Sequence, residues 1–215
     1  NPEKNAAMKA FGAELIEYGE DFQEAYEHTG AVAAERDLHM VPAFHHHLMQ
    51  GVGTYGLEFF GAHPDLDTVY VPIGQGSGIA GLISARDALN LNTKIVGVVA
   101  ENAACYALSF ARRETVSTNS ANTLADGMAC RVPIQGALDI ILAGAERVIT
   151  VGEDEIRAAM RYYFTDTHNV AEGAGAAPLA ALMKEKDRMK GLKVGLINSG
   201  GNVDRILFRE VLDED

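Results

Sequence analysis

The stretch VPIGQGSGIAG, residues 71–81, places three glycines and a serine within five consecutive positions. Gly74, Gly76 and Gly78 lack Cβ atoms, so their backbone can approach a ligand closely and several N–H groups can face one concavity. A helix-like run follows the loop, and the positive end of its dipole would add to the attraction for an anion. A phosphate group fits this pattern, and the Ser77 hydroxyl can donate a further hydrogen bond.

The residues of this loop leave three interpretations open. No Lys-Ser/Thr pair follows, which excludes a nucleoside triphosphate loop of the Walker type. Glu101, after the next apolar run, lies at about the distance at which a dinucleotide-binding fold places a ribose-binding carboxylate. The loop therefore predicts a phosphate-bearing cofactor, a dinucleotide, or a plain turn between a strand and a helix.

Two later segments also place small residues at the ends of predicted elements. EGAGAAPLAAL (172–182) enters a helix, and NSGGNVD (198–204) ends an apolar strand. In α/β sheets, ligands bind beyond the carboxyl ends of strands. Together with VPIGQGSGIAG and TLADGMACRVP (123–133), in this order and at this spacing, these segments resemble the pyridoxal-phosphate enzymes of the threonine dehydratase and serine racemase family.

This resemblance implies pyridoxal 5'-phosphate as the cofactor, in a fold of type II, the tryptophan-synthase-β-like fold. Ser199 matches the residue that hydrogen-bonds the pyridine nitrogen, while Gly127 and Glu172 match residues beside the ring. Gln75 departs from the commoner all-glycine form of the phosphate loop. The implied cofactor-binding residues are Gly74, Gln75, Gly76, Ser77, Gly78, Gly127, Glu172 and Ser199.

The lysine that forms the Schiff base with the cofactor is not recognisable in this chain. In the family it follows Ser-Phe or Asn-Phe, and none of the lysines here does. Lys4 and Lys9 lie on the opening helix, where a solvated surface role is expected. The resemblance thus implies that the N-terminal part is missing, that no catalytic residue is present, and that this chain alone is inactive.

For the intact protein, the resemblance implies a lyase. It would be an ammonia-lyase (dehydratase) that converts a β-hydroxy amino acid such as threonine or serine to a 2-oxo acid and ammonia. Alternatives are an amino-acid racemase, a dehydratase of a hydroxyaspartate- or hydroxyectoine-derived substrate, and a non-catalytic cofactor-binding fragment. The expected partners are a small amino-acid substrate and further copies of the chain, in a homodimer or higher homo-oligomer.

Two groups of side chains invite a metal interpretation. Many relatives implied by the resemblance bind a divalent cation, and Glu101 could match their first ligand; no carboxylate follows it in NAACYALSF, so the sequence does not favour a cation. His45, His46 and His47 are adjacent, and metal sites usually also draw ligands from elsewhere. The resemblance implies that they form a wall near the cofactor, and no metal site is predicted.

Alternating strands and helices must position these residues. The runs DTVYVPIG and TKIVGVVAEN are continuously apolar, which predicts an α/β fold with a mostly parallel sheet covered by helices on both faces. Further strands are predicted over 13–19 and 38–44 and at both ERVITV and LKVGLI. The interruption around FHHHLMQGVG predicts two subdomains: residues 1–47, a remnant of the small substrate-side domain, and 48–215, the large cofactor domain.

The composition limits the partners and the compartment. The 215 residues carry a formal net charge of -12, which disfavours nucleic acid and anionic membrane surfaces as main partners. No apolar stretch approaches the roughly 20 residues of a membrane-spanning helix. Cys105 and Cys130 form no metal-like spacing, so free thiols and a cytoplasmic location are expected.

Overall fold

A four-stranded parallel sheet organises the computed structural model, which describes residues 1–214. The strands are β1 (Thr68–Pro72), β2 (Lys94–Ala100), β3 (Arg147–Val151) and β4 (Val194–Leu196). The helices are α1 (Pro2–Ala10), α2 (Phe22–Glu35), α3 (His46–Ala62), α4 (Ser77–Ala88), α5 (Cys105–Arg112), α6 (Gln135–Gly144), α7 (Glu153–Thr167), α8 (Gly173–Lys184) and α9 (Arg205–Leu212). Short 3-10 turns occur at Glu101–Ala103 and Asp126–Met128.

The strand order is β3-β2-β1-β4, and every pair is parallel. In the shared register, Tyr70 of β1 lies opposite Val96 of β2 and Leu196 of β4. Because the strands are parallel, their carboxyl ends meet at one edge of the sheet. The loops that follow β1, β2 and β4 therefore leave from the same edge, where a ligand of such a sheet binds.

The sheet is buried on both faces, as the continuous apolar runs predict. Val69 and Tyr70 are fully buried neighbours on β1, and adjacent side chains of a strand point to opposite faces. The Val69 face meets α3, since a methyl group on Gly195 would touch both Val69 and Phe59. The Tyr70 face meets the end of α8, where the Tyr70 hydroxyl contacts Glu185. The α/β fold with helices on both faces is confirmed.

Two strand predictions in the first part of the chain are wrong. Residues 13–19 and 38–44 form no strand, and Ile16, Leu38 and Val41 are exposed. An isolated strand leaves its N–H and C=O groups without a ladder partner, and the described residues supply none beside these two stretches. Local β-propensity alone therefore misled the prediction.

Three helices were not predicted from the sequence: α5, α6 and α9. The first has only eight residues and the last is equally short, so neither shows a sustained period. The run of α6 is strongly apolar, and no side chain caps its start. Among the described residues, no helix combines the length and the apolar character needed to cross a bilayer.

Candidate functional site

The loop between β1 and α4 exposes the start of a helix. α4 begins at Ser77, and its N-cap residue Gly76 provides no side chain to bond the first-turn N–H groups. Gly76 has φ +96°, a left-handed conformation that glycine adopts without a Cβ penalty. A methyl group on Gly78 would meet nothing within 4 Å. The first turn of α4 therefore offers open backbone donors and the positive end of its dipole to an anion.

The loop packs directly against the Asp126–Met128 turn. A methyl group on Gly74 would overlap the carbonyl oxygen of Gly127. A methyl group on Gly127 would in turn lie 3.1 Å from the Cβ of Ala174 and 3.7 Å from Oε1 of Glu172. The absence of side chains at both glycines allows these three segments to touch.

Glu172 joins the start of α8 to the loop after β4. Its backbone N–H donates to the Gly200 carbonyl at 3.0 Å, and its Oε2 accepts a hydrogen bond from the Asn202 N–H at 3.1 Å. A methyl group on Gly175 would lie 2.6 Å from the Gly200 carbonyl oxygen. The four motifs that the sequence singled out therefore form one contiguous surface at the carboxyl edge of the sheet.

A cavity of about 690 Å³ opens between the two glycine loops. Gly78 and Ser199 both line it, so the start of α4 and the end of β4 face the same space. Tyr55 of α3 lines it too, and its hydroxyl donates to the Gly78 carbonyl at 3.5 Å. Burial raises the pKa of Tyr55 to about 12, so its hydroxyl stays protonated at neutral pH. The other lining residues are Gly51, Val52, Thr54, Phe59, Val71, Pro72, Leu196, Ile197 and Asn198.

No lysine of the described chain lines this cavity. Lys4 comes nearest to the motif loops: its Nζ lies 3.1 Å from Oδ2 of Asp126 and 3.8 Å from Oε2 of Glu172. Lys4 is partly exposed, in keeping with the expected surface role, and it also bridges two motif carboxylates. Its ammonium is engaged by these two carboxylates and lies outside the cavity.

Glu101 lies just after β2 and is paired with a lysine. Its Oε1 is 3.5 Å from Nζ of Lys184, which also contacts Oε2 of Glu155 at 3.1 Å. The same ammonium donates to the Thr150 carbonyl at 3.2 Å. The Lys184 ammonium thus already occupies the space between the oxygen atoms that a divalent cation at Glu101 would need as ligands.

The three adjacent histidines begin α3. His45 is the N-cap residue, and its Nδ1 accepts a hydrogen bond from the His47 N–H at 3.2 Å. Nitrogen atoms of His45, His46 and His47 lie within 4.8 Å of one another, the one such histidine, cysteine or carboxylate group among residues 1–214. Partial desolvation, followed by the two neighbouring rings, lowers the pKa of His46. Helix capping is the role that these contacts show.

Tyr106 and Cys130 contact the glycine loop, which was not predicted from the sequence. The Tyr106 hydroxyl donates to the Gln75 carbonyl at 3.0 Å, and Nε2 of Gln75 lies 3.4 Å from Sγ of Cys130. Both cysteines are buried free thiols, as expected. A buried tyrosine on the apolar side of a short helix after β2 is the one signal that could have pointed to this contact.

Comparison with known proteins identifies the family. The family described as "Pyridoxal-phosphate dependent enzyme" matches residues 1–200. An L-threonine ammonia-lyase of Thermotoga maritima is 33% identical over 98% of this chain and 53% of its own length. The L-threonine dehydratase catabolic TdcB of Staphylococcus aureus is 35% identical over 94% of this chain and 59% of its own. The chain thus spans little more than half the length of these curated relatives.

Solved structures resemble the fold over nearly the whole chain. The processed form of threonine deaminase isoform 2 from Solanum lycopersicum superposes with a TM-score of 0.89 at 28% identity, covering 98% of this chain and 59% of that one. Serine racemase from Dictyostelium discoideum superposes with a TM-score of 0.81 at 28% identity, covering 95% and 66%. From the matched profile, the shared fold and the four contiguous motifs, the chain belongs to the pyridoxal-phosphate dependent enzyme family.

Proposed function

We propose that this chain holds pyridoxal 5'-phosphate in an ammonia-lyase that converts a β-hydroxy amino acid, threonine or serine, to a 2-oxo acid and ammonia. The observation that carries this proposal is the cavity shared by Gly78, at the uncapped start of α4, and Ser199, at the end of β4. One end provides anion-binding N–H groups, and the other provides a neutral hydroxyl. This pairing suits a ligand with a phosphate at one end and a ring nitrogen at the other.

Within this proposal each motif has a separate role. Gly74, Gln75, Gly76, Ser77 and Gly78 bind the phosphate group through backbone N–H groups and the Ser77 hydroxyl. Ser199 donates to or accepts from the pyridine nitrogen, while Gly127 and Glu172 border the ring. Bound pyridoxal phosphate supplies the electron sink for chemistry at the substrate α-carbon.

The lysine that bonds to the cofactor is not assigned to any residue of this chain. Lys4, Lys9, Lys94, Lys184 and Lys193 form ion pairs with carboxylates. Residues 1–215 therefore bind the cofactor without turnover in this proposal.

Residues 1–47 belong to the substrate-side domain and 48–215 to the cofactor domain. Glu101 binds no divalent cation here, because Lys184 already neutralises it.

Two alternatives have their own support. A racemase would use the same phosphate loop, and the Dictyostelium discoideum serine racemase shares the fold. A non-catalytic cofactor-binding chain would also account for the absence of a lysine from the cavity.

Exposed apolar side chains, such as Phe11 at 93% exposure and Val41 at 77%, support assembly into a homo-oligomer. Two buried free thiols suit a reducing cytoplasm.

Cofactor titration followed by borohydride reduction tests this proposal. We expect the chain to bind pyridoxal phosphate reversibly, to show no labelled lysine by mass spectrometry, and to release no ammonia from threonine or serine. A chain that binds no pyridoxal phosphate contradicts the proposed function. A labelled lysine with ammonia release contradicts only the assignment of inactivity. The product then separates the two enzymes, because a 2-oxo acid marks a lyase and the opposite enantiomer marks a racemase.

A further inference from the structure

One buried tyrosine contacts the glycine loop on the side away from the cavity. The Tyr106 hydroxyl on α5 donates to the Gln75 carbonyl at 3.0 Å and accepts a hydrogen bond from the Ile134 N–H at 3.1 Å. Tyr106 is fully buried. Burial raises its pKa, so the hydroxyl remains a proton donor across the neutral range. The orientation of the Gln75 carbonyl is therefore set by a group that the solvent does not reach.

A second contact turns the Gln75 side chain in a defined direction. Its Nε2 lies 3.4 Å from Sγ of Cys130, and the Cys105 thiol donates to the Cys130 carbonyl at 3.1 Å. Cys105 and Tyr106 are neighbours on α5. Both the backbone and the side chain of Gln75 are thus tied to α5 and to the segment that leads into α6.

The planarity of the peptide bond carries this restraint to Gly76. The Gln75 carbonyl and the Gly76 N–H belong to one peptide unit, and the structure contains no cis peptide bond among the residues described. In a trans peptide the C=O and N–H point in opposite directions. Because the carbonyl points at Tyr106, the Gly76 N–H points away from it. The hydroxyl of Tyr106 therefore fixes the direction of a backbone donor within the loop.

We propose that Tyr106 is a positioning residue for the phosphate group: by holding the Gln75 carbonyl it aims the Gly76 N–H at the phosphate oxygens. This proposal rests on the proposed function, since it assumes that the loop binds the phosphate of pyridoxal phosphate. It assigns a role to a residue that does not line the cavity. The steric fit agrees, because a methyl group on Gly76 would lie 3.3 Å from the Tyr106 oxygen and 2.6 Å from the Cβ of Ala137.

The test compares ligands with and without the phosphate group. Tyr106→Phe removes only the hydroxyl, and titrations of wild type and variant use pyridoxal phosphate, pyridoxal and inorganic phosphate. We expect about a tenfold loss of affinity for the two phosphate ligands, the size of one hydrogen bond. Affinity for pyridoxal should be unchanged. Tyr163→Phe, a half-buried tyrosine on α7, is the matched control and should change none of the three affinities.

The possible outcomes separate this proposal from the proposed function. A wild-type chain that shows no preference for pyridoxal phosphate over pyridoxal overturns both. A wild type with that preference and a Tyr106→Phe variant that retains it fully overturn the positioning role alone. Equal losses for all three ligands indicate a general packing role and also overturn it.

A second variant covers the case in which Tyr106→Phe does not fold. Ile134→Pro keeps the Tyr106 hydroxyl but removes the N–H that holds it, at a position whose φ of -93° lies near the range of proline. A smaller, phosphate-selective loss supports the proposal. Unchanged affinity for pyridoxal phosphate in a folded Ile134→Pro variant contradicts it.

Discussion

At the scale of single residues, glycine positions decide whether the motif loops can touch. Gly74 packs against the Gly127 carbonyl so closely that any side chain would overlap it. Ser199, in the loop that follows β4, is instead exposed. Two kinds of residue therefore build the site: those that let the backbone approach, and those that present a polar atom.

Gly74→Ala should damage the site through the backbone. The new methyl group would overlap the Gly127 carbonyl oxygen, and a backbone atom cannot move aside as a flexible side chain can. We therefore expect a loss of about 1–3 kcal/mol in the free energy of unfolding. Affinity for pyridoxal phosphate should fall with it. Gly61→Ala is the control, because a methyl group there meets nothing within 4 Å. It should stabilise α3 by up to about 1 kcal/mol. Urea unfolding of both variants checks this, and equal effects would refute the steric account.

Tyr55 should make stability depend on pH at the alkaline end. Its pKa is about 12 in the folded chain, against about 10 when unfolded. Between these values the unfolded state binds fewer protons, so the free energy of unfolding falls as pH rises, by about 1.4 kcal/mol per pH unit. Below about pH 10 this contribution is constant. Tyr55→Phe should reduce the slope measured by urea unfolding between about pH 10 and pH 12; an unchanged slope contradicts the assignment.

Residues of the glycine motifs could be predicted from the sequence, whereas their supports could not. The motif glycines and Ser199 are recognisable because each lies within a short, ordered pattern. The contact of Tyr106 with Gln75 spans 31 positions and forms only when α5 folds back on the sheet. Lys4 and Asp126 are 122 positions apart, so their pairing has no local signal either.

At the scale of elements, one polar cluster joins α8 to the sheet. Glu185, which follows α8, accepts hydrogen bonds from the Tyr70 hydroxyl of β1 at 2.5 Å and from Nε of Arg147 of β3 at 3.1 Å. Burial raises the pKa of Glu185, but these hydrogen bonds outweigh it and leave the pKa below its usual value. The cluster fixes the end of α8, whose beginning carries Glu172 at the candidate site.

Glu185→Ala should loosen α8. It leaves the half-buried Arg147 guanidinium without its main acceptor, so we expect a loss of about 2 kcal/mol in the free energy of unfolding. Because the folded pKa of Glu185 is lowered, its contribution is present above about pH 4.5 and is lost as pH falls further. Urea unfolding at neutral and acidic pH measures both effects. Glu58→Ala, at an exposed position on α3, is the control. An equal loss of stability in that variant would contradict a specific role for the Glu185 cluster.

Elements were predictable where burial is continuous. The uninterrupted apolar runs of β1 and β2 identified the centre of the sheet, and the small-residue run of α8 identified a packed helix. The stretches 13–19 and 38–44 carry β-branched and aromatic residues but lack a partner strand among the described residues. Pairing is a property of the whole chain, so a local pattern could not show that it fails there.

At the scale of the whole molecule, an acidic protein presents an anion site. The formal net charge is -12, yet the start of α4 opens onto the cavity with backbone donors and no capping side chain. Helix dipoles act within one turn, so a local site of this kind can exist on a negatively charged surface. The topology places this helix start and the end of β4 at the same edge, which explains why four separated motifs converge.

The most direct test of this account is the location of bound phosphate. Amide spectra of the chain, recorded by NMR during titration with pyridoxal phosphate and separately with inorganic phosphate, report which N–H groups contact the anion. We predict that the amides of Gly76, Ser77 and Gly78 shift first with both ligands, and that Ser199 responds only to pyridoxal phosphate. Shifts concentrated outside the loop of residues 74–78, or none at all, would contradict the central claim that this loop binds the cofactor phosphate.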